Sequence, residues 1–136
     1  VSLWFWNGMP IDSRPVLGWM FGRGQNYSTQ ATGDGLGLNA KSQLIFSNGK
    51  ETLTGKTSAE RWKWHHALLV RDKEKVQVYL DGKLEISDEA NAVSNVETLF
   101  LGGRNNKESS WEGRLDEAAI FNRALSATEA KGLSNR

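Results

Sequence analysis

The chain has 136 residues, 38% of them apolar, and 17 Lys and Arg against 16 Asp and Glu give it a net charge of +1. That length supports one hydrophobic core and leaves no room for a second full domain, so residues 1–136 read as a single unit. The charge balance argues against a phosphate-tracking groove and nucleic acid as a partner. The lack of cysteine excludes disulfides, thiolate zinc and a thiol nucleophile, and no apolar run is long enough for a membrane-crossing helix. The chain opens at Val1 with neither an initiator Met nor a signal-peptide pattern, which reads as a piece of a larger protein.

Two-residue alternation dominates, and fourteen glycines against two prolines fit many turns. The opening segment puts Val1, Leu3 and Phe5 on one face and Ser2, Trp4 and Trp6 on the other, so a strand covered on both sides is expected. Further strands are expected near 16–22, 27–32, 36–39, 43–47 and 51–54, each bounded by Gly, Asn or Asp. In 62–71 the face of Trp62, Trp64, His66, Leu68 and Val70 reads as core-directed. Of the two histidines, one is expected packed and one on the surface. Val76, Val78 and Leu80 share a face before Asp81-Gly82, a hairpin signal because both central residues of a type I′ turn need positive φ. Strands at 98–102 and 114–122 follow. Ser126 and Glu129 then form a capping-box pattern for a helix of two turns at most, with Leu125 and Ala130 as its hydrophobic staple. Short strands with hardly any helix predict an all-β antiparallel sandwich of two sheets.

Four phrases narrow the fold: Trp64-His65-His66-Ala67-Leu68, Val78-Tyr79-Leu80-Asp81-Gly82-Lys83, Leu99-Phe100-Leu101-Gly102-Gly103-Arg104, and Gly113-Arg114-Leu115-Asp116-Glu117 running on to Asn122-Arg123-Ala124-Leu125-Ser126. In this order they resemble the laminin-G-like jelly rolls, more closely the bacterial branch of the concanavalin A-like group to which pentraxins are related. The resemblance implies two antiparallel sheets in a secreted, periplasmic or cell-surface protein, and binding of carbohydrate or a surface protein without catalysis. It also implies an N-terminal strand ahead of Val1. Left unpaired, a strand this apolar would expose backbone donors, so either a later segment covers it or the piece forms a dimer through it, and packing against a neighbouring domain of the parent chain is the structural alternative.

The same resemblance implies calcium as the candidate cofactor. The matching positions are Asn26 before the Tyr27 strand, Asn95 or Ser94 before the Thr98 strand, and a carbonyl near Phe46 or Ser47. Two neutral amides make a weak set for a hard cation, and turn-forming Asn is the competing reading. Adjacent Asp116 and Glu117 point to opposite faces of a strand, so one must turn inward and needs hydrogen bonds or a cation, which adds Asp116 to the metal candidates. The same divergence speaks against a glycosidase pair, and Glu112, which shares Asp116's parity, leaves only a weak alternative. The loop after the Leu99 strand is basic and amide-rich. In it Arg104, Asn105, Asn106 and Trp111 are candidate ligand contacts, with a solvated loop anchored by Trp111 as the plainer reading. The other five tryptophans read as packing.

Overall fold

A computed structural model describes residues 1–25, 28–94, 96–105 and 109–135, with the backbone alone at 28–31. Ten strands run in chain order: β1 (Ser2–Asn7), β2 (Gly18–Gln25), β3 (Ser28–Leu38), β4 (Gln43–Ser47), β5 (Thr52–Ser58), β6 (Trp64–Asp72), β7 (Lys75–Leu80), β8 (Lys83–Glu89), β9 (Thr98–Leu101) and β10 (Gly113–Ala119), followed by helix α1 (Ala127–Leu133). All neighbouring strands pair antiparallel. The first sheet has the order β10-β1-β6-β7-β8 and the second β5-β4-β3-β2-β9. The expected two-sheet jelly-roll architecture with one short C-terminal helix is present.

The core between the sheets is built by every second residue. Leu3 and Phe5 of β1, Ala67 and Leu69 of β6, and Val76, Val78 and Leu80 of β7 face Leu36 and Leu38 of β3 and Leu44 and Phe46 of β4. The Asp81-Gly82 turn has φ of 49° and 75°, the left-handed pair of a type I′ hairpin. Its Asp81 carboxylate accepts the His66 backbone N–H at 2.8 Å and lies 2.8 Å from His65 Nδ1. At the C-terminus, the Ser126 hydroxyl and the Glu129 carboxylate complete the capping box.

Several expectations change for identifiable reasons. The core-directed face of β6 carries Ala67 and Leu69, while Leu68 and Val70 pack with Tyr79 under Leu125 and Ala130. Both faces of β6 are apolar because sheet covers one and the helix segment covers the other. Both histidines are buried, so neither is the surface residue expected. Of the two alternatives for the first strand, cover by a later segment is the one present: β1 pairs with β10 on one side and β6 on the other, which removes the reason for a dimer through it. The two strands expected near 27–32 and 36–39 are replaced by the single strand β3 (Ser28–Leu38), since Gly33, Gly35 and Gly37 lie inside it and not in a turn. Neither Asp116 nor Glu117 turns inward. Both are exposed on the edge strand β10, where Glu117 has φ of 48° and the register against β1 shifts between Ser2 and Trp4, so strict alternation fails there.

Candidate functional site

The outer face of the second sheet has a glycine floor. With Leu36 and Leu38 facing the core, Gly33, Gly35 and Gly37 point away from it, and Gly22 and Gly24 of β2 continue the bare surface. The reason is close approach. A Cβ on Gly37 would stand 3.0 Å from the Trp19 ring, one on Gly35 would stand 3.2 Å from that ring and 3.3 Å from Arg104 Nε, and one on Gly24 would stand 2.5 Å from Asn105 Cβ. The absent side chains let Trp19, Arg104 and Asn105 lie flat on the sheet.

The loop after β9 delivers these groups. It is tied back to β2 by the Trp19 N–H donating to the Ser109 carbonyl at 2.8 Å and by a bridge between Trp19 and Ser110. The Arg104 guanidinium carbon sits 4.1 Å from the Trp19 ring centroid, a cation–π stack. Arg104 is only 7% exposed, and its Nε and Nη2 are buried with no hydrogen-bond partner. Burial lowers its pKa from the ordinary arginine value, because a desolvated cation is disfavoured. Asn105, fully buried, donates from Nδ2 to Thr32 Oγ1 at 3.2 Å. Beside these groups, a pocket of about 610 Å³ runs along the edge strand β9, walled by Phe100, Gly102, Gly103, Arg104 and Ser110 among others.

Of the expected ligand contacts, Arg104 and Asn105 are thus brought together on one face. Trp111 is turned to the core margin, where its half-buried ring meets Phe5 edge-on at 5.7 Å and its Nε1 donates to the Arg114 carbonyl at 3.4 Å. Asn106, and the calcium candidates Asn26 and Asn95, lie outside the described residues. Asp116 stands opposite Trp4 in the first sheet, whereas Phe46 and Ser47 belong to β4 of the second. Among the described residues no three His, Asp or Glu side chains gather to hold a metal ion.

The residue missed from sequence is Trp19, which reads as strand packing until the glycines at every second position of β2 and β3 are noticed. A second aromatic surface lies on the first sheet. Trp62, 58% exposed, packs at a tilt against Trp6 with ring centroids 5.1 Å apart, while Arg61 and Arg114 cover ring faces at 4.4 and 5.2 Å, so less of these rings is open to a ligand.

Residues 7–131 match the family profile described as the concanavalin A-like lectin/glucanases superfamily. The chain belongs to this family. No curated protein sequence matches it. Among solved structures it is similar to domain 4 of AbnA, a GH43 extracellular arabinanase from Geobacillus stearothermophilus in complex with arabinotriose, with 18% identity and a TM-score of 0.68. That match covers 98% of this chain and 65% of the other, so the chain spans just under two thirds of it. It is also similar to the Ruminococcus gnavus IT-sialidase CBM40 bound to α2,3 sialyllactose (14% identity, TM-score 0.75, 98% and 80% covered) and to a SAP-like pentraxin from Limulus polyphemus (13%, 0.70, 98% and 68%). At these identities the likeness establishes the fold.

Proposed function

We propose that this chain is a non-catalytic carbohydrate-recognition module that acts outside the cell or at its surface and binds through the outer face of the second sheet and the loop after β9. The observation that carries this reading is Arg104, a buried guanidinium with two unpaired donors, stacked on Trp19 in the wall of a pocket. An aromatic-backed polar group at a preformed pocket suits a sugar, whose ring offers C–H groups to apolar walls and hydroxyls to donors. The arabinotriose and sialyllactose complexes of similar folds support the class of ligand. Moderate affinity is expected, since stripping water from sugar hydroxyls offsets much of each new hydrogen bond. The test is a glycan array with affinity electrophoresis: sugar-specific binding that weakens in Arg104→Ala supports the proposal, and silence on both overturns it.

A second reading, a structural unit packed against another domain, has its own observation. β9 and β10 bound the same side of the sandwich, opposite β5 and β8, and there Leu99, Ile120 and Phe121 are exposed around a further pocket of about 620 Å³. Contiguous apolar exposure of this kind marks interaction surfaces. Hydrogen exchange that is slowed at β9 and β10 only in the parent protein would favour this role.

A further inference from the structure

We infer that the ligand of this face carries a carboxylate, and that Arg104 binds it side-on through Nε and Nη2. The inference rests on the carbohydrate reading above and narrows it to acidic sugars. Nε–H and the adjacent Nη2–H project in parallel from one edge of the planar guanidinium, a spacing that matches the two oxygens of a carboxylate. This chain already makes that pairing once: Arg71 donates from Nε to Asp34 Oδ2 at 2.8 Å and from Nη2 to Asp34 Oδ1 at 2.5 Å. In Arg104 the same two nitrogens are the buried, unpaired ones. Among the described residues no carboxylate pairs with Arg104, while Trp19 holds one face of its guanidinium and Gly22 and Gly35 bring the backbone floor against its side chain.

A lone desolvated cation is costly, and an anion that completes its hydrogen bonds recovers that cost, so charge and geometry select for the same group. A neutral hydroxyl cannot accept both donors in the plane of the fork while neutralising the charge. Because the fork is turned from solvent, binding requires the guanidinium to rotate toward the pocket it already walls. The carboxylate would enter along β9, past Phe100 and Ser110.

The probes are glycosides of a hexuronic acid and of a sialic acid, the methyl ester of each, a sulfated glycan and neutral oligosaccharides, titrated calorimetrically against the intact chain. Esterification removes the charge and leaves the ring. Acid is expected to bind tighter than ester by roughly tenfold or more, as for the loss of a charge-assisted bidentate pair. Arg104→Lys, which keeps the charge and loses the fork, is expected to abolish most of that ratio. Whichever acid prevails identifies the acid class and supports the inference. Equal binding of acid and ester, preference for the sulfated glycan, or an acid preference untouched by Arg104→Lys overturns it while leaving sugar recognition standing. Silence on every glycan, neutral ones included, overturns both. The acid-to-ester ratio is read on the unmodified chain, so the result does not depend on the variant folding.

Discussion

Two arginines in this molecule start from the same chemistry and end in opposite circumstances. Arg71, on β6 of the first sheet, reaches across to Asp34 on β3 of the second, and its remaining donor Nη1 meets the carbonyls of Ala90 and Lys73 at 2.5 and 3.1 Å. Its guanidinium is fully engaged, and it ties the two sheets together. Arg104 is more deeply buried, yet its neighbours are an aromatic ring and a glycine surface that contribute no acceptor to Nε and Nη2. The contrast separates two uses of a buried cation. A structural one is satisfied within the fold. In the proposed role a recognition group is desolvated before its partner arrives and turns toward it on binding, which places part of the desolvation cost in the folded state.

The two sites should therefore respond to mutation with opposite sign. Asp34→Ala leaves Arg71 without its carboxylate between the sheets, and an uncompensated charge at so little exposed a site should cost about 3 kcal/mol. Chemical denaturation would read this as a lowered midpoint at unchanged slope. Arg104→Met removes an unpaired charge and keeps the volume over Trp19, so stability should stay level or rise by about 1 kcal/mol while ligand retention is lost. A large destabilisation in Arg104→Met would mean that the fold depends on this cation, and the distinction between the two arginines would collapse.

The architecture was legible because its signals are local: the apolar runs of β1 and β4, alternation in β7, the Asp81-Gly82 turn, and the Ser126/Glu129 cap all occur at the expected residues. The face of β6 was not legible, because alternation identifies two faces without saying what lies over each, and here Leu68 and Val70 are buried by the chain around α1 some 55 residues later. Asp116 and Glu117 were misread because a bulge breaks the periodicity and an edge strand exposes side chains of either parity. The site was half legible. Arg104 and Asn105 stand out in a basic, amide-rich loop, but their burial depends on Trp19 and on glycines some seventy to eighty residues earlier in the chain. Gly33, Gly35 and Gly37 look like turn punctuation in a sequence, and only the sheet reveals them as clearance for another segment's side chains.

That clearance gives an intermediate test. Gly24→Ala would put a Cβ 2.5 Å from Asn105 Cβ, and neither atom can swing away as a flexible chain end could. An overpacking cost of about 1 to 3 kcal/mol is expected, together with displacement of the loop and weaker ligand retention. The equivalent change at Gly132, which has open space around it, should leave binding unaltered.

The smallest effect concerns a third buried basic group, His65 with Asp81, which lies between the two arginines in character because its imidazole is buried and its carboxylate about half exposed. Burial alone would lower the His65 pKa, but the hydrogen bond and charge of Asp81 and the Glu60 carbonyl outweigh it, and the group titrates above its ordinary value. Burial alone would raise Asp81, but its bonds to His65 and to the His66 N–H outweigh that and hold it below the usual carboxylate range. The histidine's contribution to stability is present at low pH and lost as pH rises through its raised pKa. The aspartate's is present above its unfolded value and lost as pH falls through its lowered one. The pair therefore stabilises the fold most in the acid-to-neutral window between those two values, by at most about 1 kcal/mol given the exposed carboxylate. Denaturation midpoints of the wild type and His65→Gln should differ most within that window and converge on its alkaline side. A constant offset across pH would show that His65 contributes through packing against Phe5, 5.5 Å between ring centres, and not through its charge.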